Sequence, residues 1–488
     1  MTFDFRAILV FGLAALPYAA LLPAGWRAWA LLAGSVLAIF WLQPPLPIRY
    51  ADFILPTATL LLTAASWWAT RKLDDARQAA TRREDLVTLN VIAALVAGLS
   101  LMRFVDADYR ITPSRPPDPL ALIAGLAIAG AALGAILWLA LRRDQERALA
   151  VVGLLVVALF VVLKTEPLAA AVAGWWRSLT GQDASLASGA DLAWLGFSYV
   201  AFRLLHTLRD RHTGILPALS LREYMTYVVF FASYTAGPID RAERFAGDFR
   251  ALQILRGPDV ARLLDGLTRI AIGLFKKFVI ADSLAQGLSL SAASAAQTDS
   301  ALWLWVLLYG YAFRLYFDFG GYTDIAIGIG ILFGIRLPEN FDRPYLKTSI
   351  TAFWQSWHMS LSNWARFYVF TPLSRWMLTR SWKPSPALIV LIAQLATMIV
   401  IGLWHGITWS FFVWGAWHGV GLFVHKQWSD RTRKWYRGLS ASPARKRVWT
   451  AFAWLATFQF VMIGWVWFLV PDVQQAAQTM LRLFGLGW

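Results

Sequence analysis

Apolar residues recur along this chain in long blocks, without the mixed amphipathic periodicity of a soluble core. The blocks cover 5–22, 26–42, 53–70, 86–104, 119–141, 148–164 and 191–206, then 223–236, 263–286, 301–335 (interrupted), 386–404, 408–426 and 448–470. Most approach the roughly 20 residues needed to cross a hydrocarbon core. No water is available there to bond the main chain, so each segment must close its own hydrogen bonds as a helix. The pattern predicts an all-α polytopic membrane protein with about 11 to 13 transmembrane or re-entrant helices. The first block is read as a membrane helix, not a signal peptide. Asp4 and Arg6 make no basic leader, and the run ending near Leu22 leads straight into the next apolar run.

Composition strengthens that reading. Of 488 residues 58% are hydrophobic and 15% charged, and the mean hydropathy is +0.52, whereas soluble domains carry about a quarter charged residues. The net charge of +16 could suggest nucleic acid. The bases, however, lie in short loops between apolar blocks: Arg71, Lys72, Arg77, Arg82 and Arg83 in one, Arg142, Arg143 and Arg147 in another. The segment 426–447 carries Lys426, Arg431, Arg433, Lys434, Arg437, Arg445, Lys446 and Arg447 against Asp430 alone. This is the positive-inside pattern. It predicts cytoplasmic basic loops, both termini outside, and anionic membrane lipid, not nucleic acid, as the neighbour. Cysteine is absent, which excludes disulfides, thiolate metal sites and a cysteine acyl-enzyme.

Chemistry-bearing residues concentrate between 220 and 425; the first 200 residues are Ala/Leu/Val-rich and plain. Within 350–366, Trp357, Leu361, Trp364 and Tyr368 recur at helical spacing. Gln355, Ser362, Asn363 and Arg366 gather on the other side, so the segment reads as an amphipathic interfacial helix with His358 beside its polar face. Gly402-Leu403-Trp404-His405-Gly406 ends an apolar run, with Trp404 covering one side of His405. Histidine at membrane depth avoids the charge penalty by staying neutral, the form a general base needs. An isolated buried histidine is more often a packing residue, so His358 and His405 stand as two candidates among six. His206 and His212 read as loop residues, and His425 as a headgroup-level one. None of the six forms an i,i+4 pair, so no metal is expected. Tyr316–Asp324 places two acids and two glycines in an apolar run. It reads either as a helix break capped by Asp318 or Asp324, or as the lining of a polar cavity. Asp318, Tyr322, Asp324, Gln355, Ser362, Asn363 and Trp404 are the candidate channel residues. Ser233–Arg241 reads as a structural turn at a membrane surface.

Taken in order, Ala236–Arg241, Tyr316–Asp324, Pro338-Glu339-Asn340-Phe341, Phe353-Trp354, Trp357–Ser362, Gly402–Gly406 and Trp414-Gly415 with His418-Gly419 resemble the membrane-bound O-acyltransferase family. The resemblance is to its bacterial branch of alginate-type polysaccharide O-acetyltransferases and teichoic acid D-alanyl-transfer proteins. It covers roughly 190 residues; the first 200 match only in hydrophobicity. The resemblance implies N-terminal membrane helices over 1–205, a catalytic core over 206–426, and a basic cytoplasmic loop with a C-terminal membrane helix over 427–488. It also implies a multi-pass protein of the bacterial inner membrane with a central acyl-transfer channel. There the catalytic positions fall on His405 and His358, with His405 the general base and His358 its support. No cofactor is bound. The donor is acetyl-CoA or an acyl carrier protein thioester on the cytoplasmic side, and the acceptor an exported polysaccharide served by an outer partner. D-alanyl transfer to teichoic acid is the second reading; a non-catalytic transporter or scaffold is the reading from another class. One departure is Ser356, where the family usually has Arg before the Trp-His pair.

Overall fold

The apolar blocks form helices that satisfy their own buried polar groups. In Ala51–Thr70, the Thr57, Thr59 and Thr63 hydroxyls donate to carbonyls four residues back, at 2.8, 3.2 and 2.7 Å. Asp118 caps Pro119–Arg143, accepting from the Leu120 and Ala121 amides while Pro119 occupies a position that needs no donor. These features belong to a computed structural model that describes residues 5–71, 78–254, 259–382, 384–439 and 442–486. Lys72 and Arg77 of the first basic loop lie outside the described residues.

Seven of the described helices are long and apolar enough to cross a membrane. Pro119–Ala140 buries only 11% of its spanning window and Gln145–Lys164 only 22%. Side chains so apolar and so exposed have lipid as their solvent, and the chain is an all-α multi-pass membrane protein. Several other blocks form helices that miss that standard. The block 223–236 divides into Leu221–Val229 and the four-residue Phe231–Tyr234. The block 263–286 passes from Val260–Leu274 into a π-helical turn over Phe275–Ala281.

The chain divides into two units: Met1–Ile270 with Ile325–Pro338, and Ala271–Asp324 with Glu339–Trp488. The expected core, 206–426, contributes residues to both. In the first unit a buried polar network runs through an apolar core that includes Leu31, Phe40, Val200, Val228 and Phe230. The Arg203 guanidinium donates to Val228 O and Ser233 O, both at 2.6 Å. His206 is not a loop residue, because Phe197–His212 continues through it; it is 1% exposed and its Nε2 meets the Tyr227 hydroxyl at 2.8 Å. The Ser233–Arg241 segment leaves the helix Phe231–Tyr234 after its first two residues and is non-helical over 235–241, fastened by Arg244 bridging Asp240 and Asp248.

In the second unit two expectations are corrected. The Tyr316–Asp324 stretch does not break its helix, which runs unbroken over Ala301–Leu332. Its acids cap nothing: Asp324 pairs with Lys276 at 2.6 Å, and Asp318 with Lys277 at 2.9 Å. Gly321 serves close approach, since a Cβ there would lie 2.7 Å from Gly273 O and 2.9 Å from Lys277 N. The amphipathic helix expected over 350–366 is instead two short helices, Ile350–Trp354 and Met359–Ala365, with the chain turned between them.

Gly321→Val forces backbone against backbone, so destabilisation of about 1–3 kcal/mol is expected from overpacking. Thermal unfolding of the detergent-solubilised protein, compared with Gly320→Ala, measures it; a Cβ at Gly320 meets nothing nearer than 3.9 Å. Asp324→Ala strands Lys276 and is expected to lower the same midpoint by more than the compensated Lys276→Met/Asp324→Met pair.

Candidate active site

The break between the two short helices is centred on His358. Its φ of 43° and ψ of 54° put a residue with a Cβ in the left-handed region, at a cost of about 1–3 kcal/mol that the surroundings must cover. They do so through Asn340. Its backbone carbonyl accepts from the Met359 amide at 2.9 Å. Its Oδ1 accepts from the Ser360 amide at 3.2 Å and the Ser360 hydroxyl at 2.6 Å. Its Nδ2 donates to Thr323 at 3.4 Å. A β-bridge between Phe341 and Trp357, with the Asp342 amide on Ser356 O at 3.0 Å, completes the clasp. Helical geometry at 355–358 would break these bonds, so the helix yields.

Ser356 itself is 2% exposed and its hydroxyl donates to Phe353 O at 2.9 Å, so its polarity is spent locally. His358 is 3% exposed, edge-on to Phe319 with ring centroids 4.6 Å apart. It lies outside the spanning helices, and burial pushes its imidazole down to about 3. It is therefore neutral at any physiological pH. Its Nε2 is buried with no hydrogen-bond partner among the described residues.

His405 is the last residue of Pro386–His405. The next helix, Trp409–Leu439, starts hard against it. Gly402 makes that possible: a Cβ there would sit 2.2 Å from Phe411 O. The imidazole is half-buried and ringed by Trp404, Phe411, Trp414 and Phe468 at centroid distances of 4.5, 5.7, 5.8 and 4.7 Å. The two candidate histidines meet at Trp404, whose indole lies 6.0 Å from His358 and 4.5 Å from His405.

The other sequence candidates are placed less centrally. Asp318 and Asp324 are held in the lysine pairs, and Tyr322 is buried on the same helix. The Ser362 amide donates to His358 O at 2.9 Å and its hydroxyl to Trp357 O at 3.0 Å, so it supports the turn. Gln355 and Asn363 are exposed. Among the described residues no group of three or more His, Asp or Glu side chains is placed to hold a metal.

Four residues were given no role in the sequence reading. Asn340 lay in a quoted motif without a role. Lys276 and Lys277 interrupt an apolar run, and such a position is a signal in its own right. His418, fully buried, extends the histidine series: it stacks edge-on to Trp414 at 5.0 Å and accepts from Trp354 Nε1 at 3.4 Å. Its i,i+4 spacing from Trp414 was the available sign.

The model of the membrane-bound O-acyltransferase family matches residues 149–469, which takes in both histidines and every element around them. This chain belongs to the membrane-bound O-acyltransferase family. It is 34% identical to the probable alginate O-acetylase AlgI of Pseudomonas aeruginosa over 60% of its own length and 52% of that protein's. It is 35% identical to the peptidoglycan O-acetyltransferase of Helicobacter pylori over 54% of its length and 47% of that protein's. The teichoic acid D-alanyltransferase of Streptococcus thermophilus matches at 29% over 67% of this chain and 76% of that protein. The chain spans about half the length of the O-acetyltransferase relatives it matches.

Asn340→Ala removes the Oδ1 clasp on Ser360, and a loss of about 1–3 kcal/mol is expected for buried bonds of this kind. Asn340→Asp keeps the acceptor and is expected to lose less. Thermal unfolding of the two variants side by side gives the order, and equal losses would show that Oδ1 does not hold the turn.

Proposed function

We propose that this chain moves an acyl group, in the first instance acetyl, from a cytosolic thioester to hydroxyls of an exported cell-surface polysaccharide. The donor is acetyl-CoA or an acyl carrier protein thioester, and an outer partner presents the polymer. One observation carries the reading: His405, half-buried at a helix end, and the buried His358 meet across a single indole, at 4.5 and 6.0 Å. Family membership and the two O-acetyltransferase relatives support the chemistry.

In the proposed reaction a neutral His405 takes the proton of the acceptor hydroxyl as its oxygen attacks the thioester carbonyl. The new C–O bond forms, the C–S bond breaks, and the proton passes from His405 to the departing thiolate. A general base of this kind contributes roughly 10²–10⁴-fold. His358, held neutral, can donate one hydrogen bond to the developing oxyanion, a contribution of roughly 10²–10³-fold where such donors have been removed. The left-handed turn fixes that donor before substrate arrives, so no reorganisation is required at the moment of attack.

D-alanyl transfer is the second reading, and coverage favours it: the teichoic acid D-alanyltransferase aligns over a larger share of both chains than the acetylases do.

His405→Ala is expected to cut surface-polymer esters by at least about 10²-fold, with membrane levels of the protein unchanged. Unaltered ester content in correctly inserted protein would refute the base assignment. His358→Gln, which retains a donor, is expected to keep more activity than His358→Ala. Mild alkaline release of the acyl group, followed by mass analysis, separates acetate from D-alanine.

A further inference from the structure

The second unit carries a groove that the proposed chemistry does not use. It runs along one face of Trp409–Leu439 and is closed on its far side by Pro443–Leu469. Its first part is a cavity of about 600 Å³ lined by Val413, Trp417, Val420, Gly421 and Val424, with Phe460 opposite. At His425 the lining changes. The second part, of about 620 Å³, is lined by Ser349, Ser429, Thr432, Arg433 and Tyr436. The two share His425, Trp428, Ala456 and Thr457, so they are one continuous trough, apolar at one end and mixed at the other, where Trp449, Phe452 and Ala453 stand beside the hydroxyls and the single Arg433.

Its dimensions fit one class of ligand. From Val413 to Val424 the helix rises roughly 16 Å at about 1.5 Å per residue. That is half of the roughly 30 Å hydrocarbon core, the depth of one leaflet. At the junction Trp428, Trp435 and Trp449 cluster, with Trp435 edge-on to Trp449 at 4.9 Å. Such a belt marks headgroup level. Residues 426–447, which include Trp428 and Trp435, carry eight Lys and Arg against one Asp.

We propose that this trough is a binding site for a single anionic glycerophospholipid, an acyl chain lying along Val413–Val424 and the phosphate resting against Arg433 and the hydroxyls around it. Charge complementarity selects the headgroup, and the apolar length selects a molecule of one leaflet. Neither histidine of the candidate active site is involved, so the inference stands apart from the proposed function.

The test is native mass spectrometry of the full chain incubated with equal amounts of dioleoyl phosphatidylglycerol and dioleoyl phosphatidylcholine, which differ only in headgroup. Wild type is expected to retain mainly the anionic lipid. Arg433→Glu is expected to reduce that retention by at least roughly fivefold, the weight of one surface cation against an anionic lipid, and Arg433→Lys to restore it. Ala456→Trp, which fills the trough where its two parts meet, is expected to abolish retention of both lipids. Unfolding temperature and monodispersity verify that each variant is folded. Equal retention of the two lipids, or retention unchanged by both Arg433→Glu and Ala456→Trp, overturns the proposal. So does displacement of the lipid by coenzyme A or glycerol 3-phosphate, since either would mark a site for a soluble phosphate compound.

Discussion

The geometry around His358 depends on hydrogen bonds made by one side chain and one carbonyl of Asn340. They hold Met359 and Ser360 at fixed positions and thereby force the residue before them into a left-handed conformation. A residue with a Cβ does not enter that region without cause. Its consequence here is directional. The turn aims the His358 ring inward, against Phe319 and Trp404, where a helical residue would have pointed along the helix face. Asn340 also reaches Thr323, so the long helix Ala301–Leu332, the turn and the ring form one mechanical unit.

That helix illustrates how charge is carried within an apolar run. Two acids in an apolar run would be costly alone. Here they face two lysines from the π-helical turn Phe275–Ala281, and the pairing is close. The π turn carries one more residue per turn than an α-helix would. Lys276 and Lys277 pair with different carboxylates along the facing helix, while Gly321 lets the two backbones close up. Close packing at Gly321 and the two ion pairs thus occur on the same pair of facing helices.

Much of the architecture was legible in the residue pattern, for a physical reason: in lipid, an apolar block of sufficient length has few options besides helix. Hence 53–70, 119–141, 148–164 and 386–404 emerged within a few residues of their structural limits. The failures came where a distant partner overrode the local signal. Periodicity over 350–366 is helical, and the segment Asn340–Asp342, some ten residues upstream, breaks it. Gly320-Gly321 looks like a break until Gly273 is brought against it. His206 sat at the edge of a charged segment, and its burial depends on Tyr227. The site was legible as two histidines, because rings at glycine-flanked or amphipathic positions are conspicuous. Their meeting at Trp404 was not, since no local pattern encodes it.

The wall around His405 has a consequence of its own. Four aromatic rings surround the imidazole, and a water molecule settles only where it finds two to four polar partners. Apart from the indole N–H groups of Trp404 and Trp414 such a lining offers water few partners, whereas the sugar of the proposed acceptor has C–H faces that can lie against indole and phenyl surfaces. In the proposed chemistry the side reaction is hydrolysis, in which water takes the acyl group and the activated donor is lost. In that chemistry the hydrophobic surroundings of the proposed base favour productive transfer over the leak.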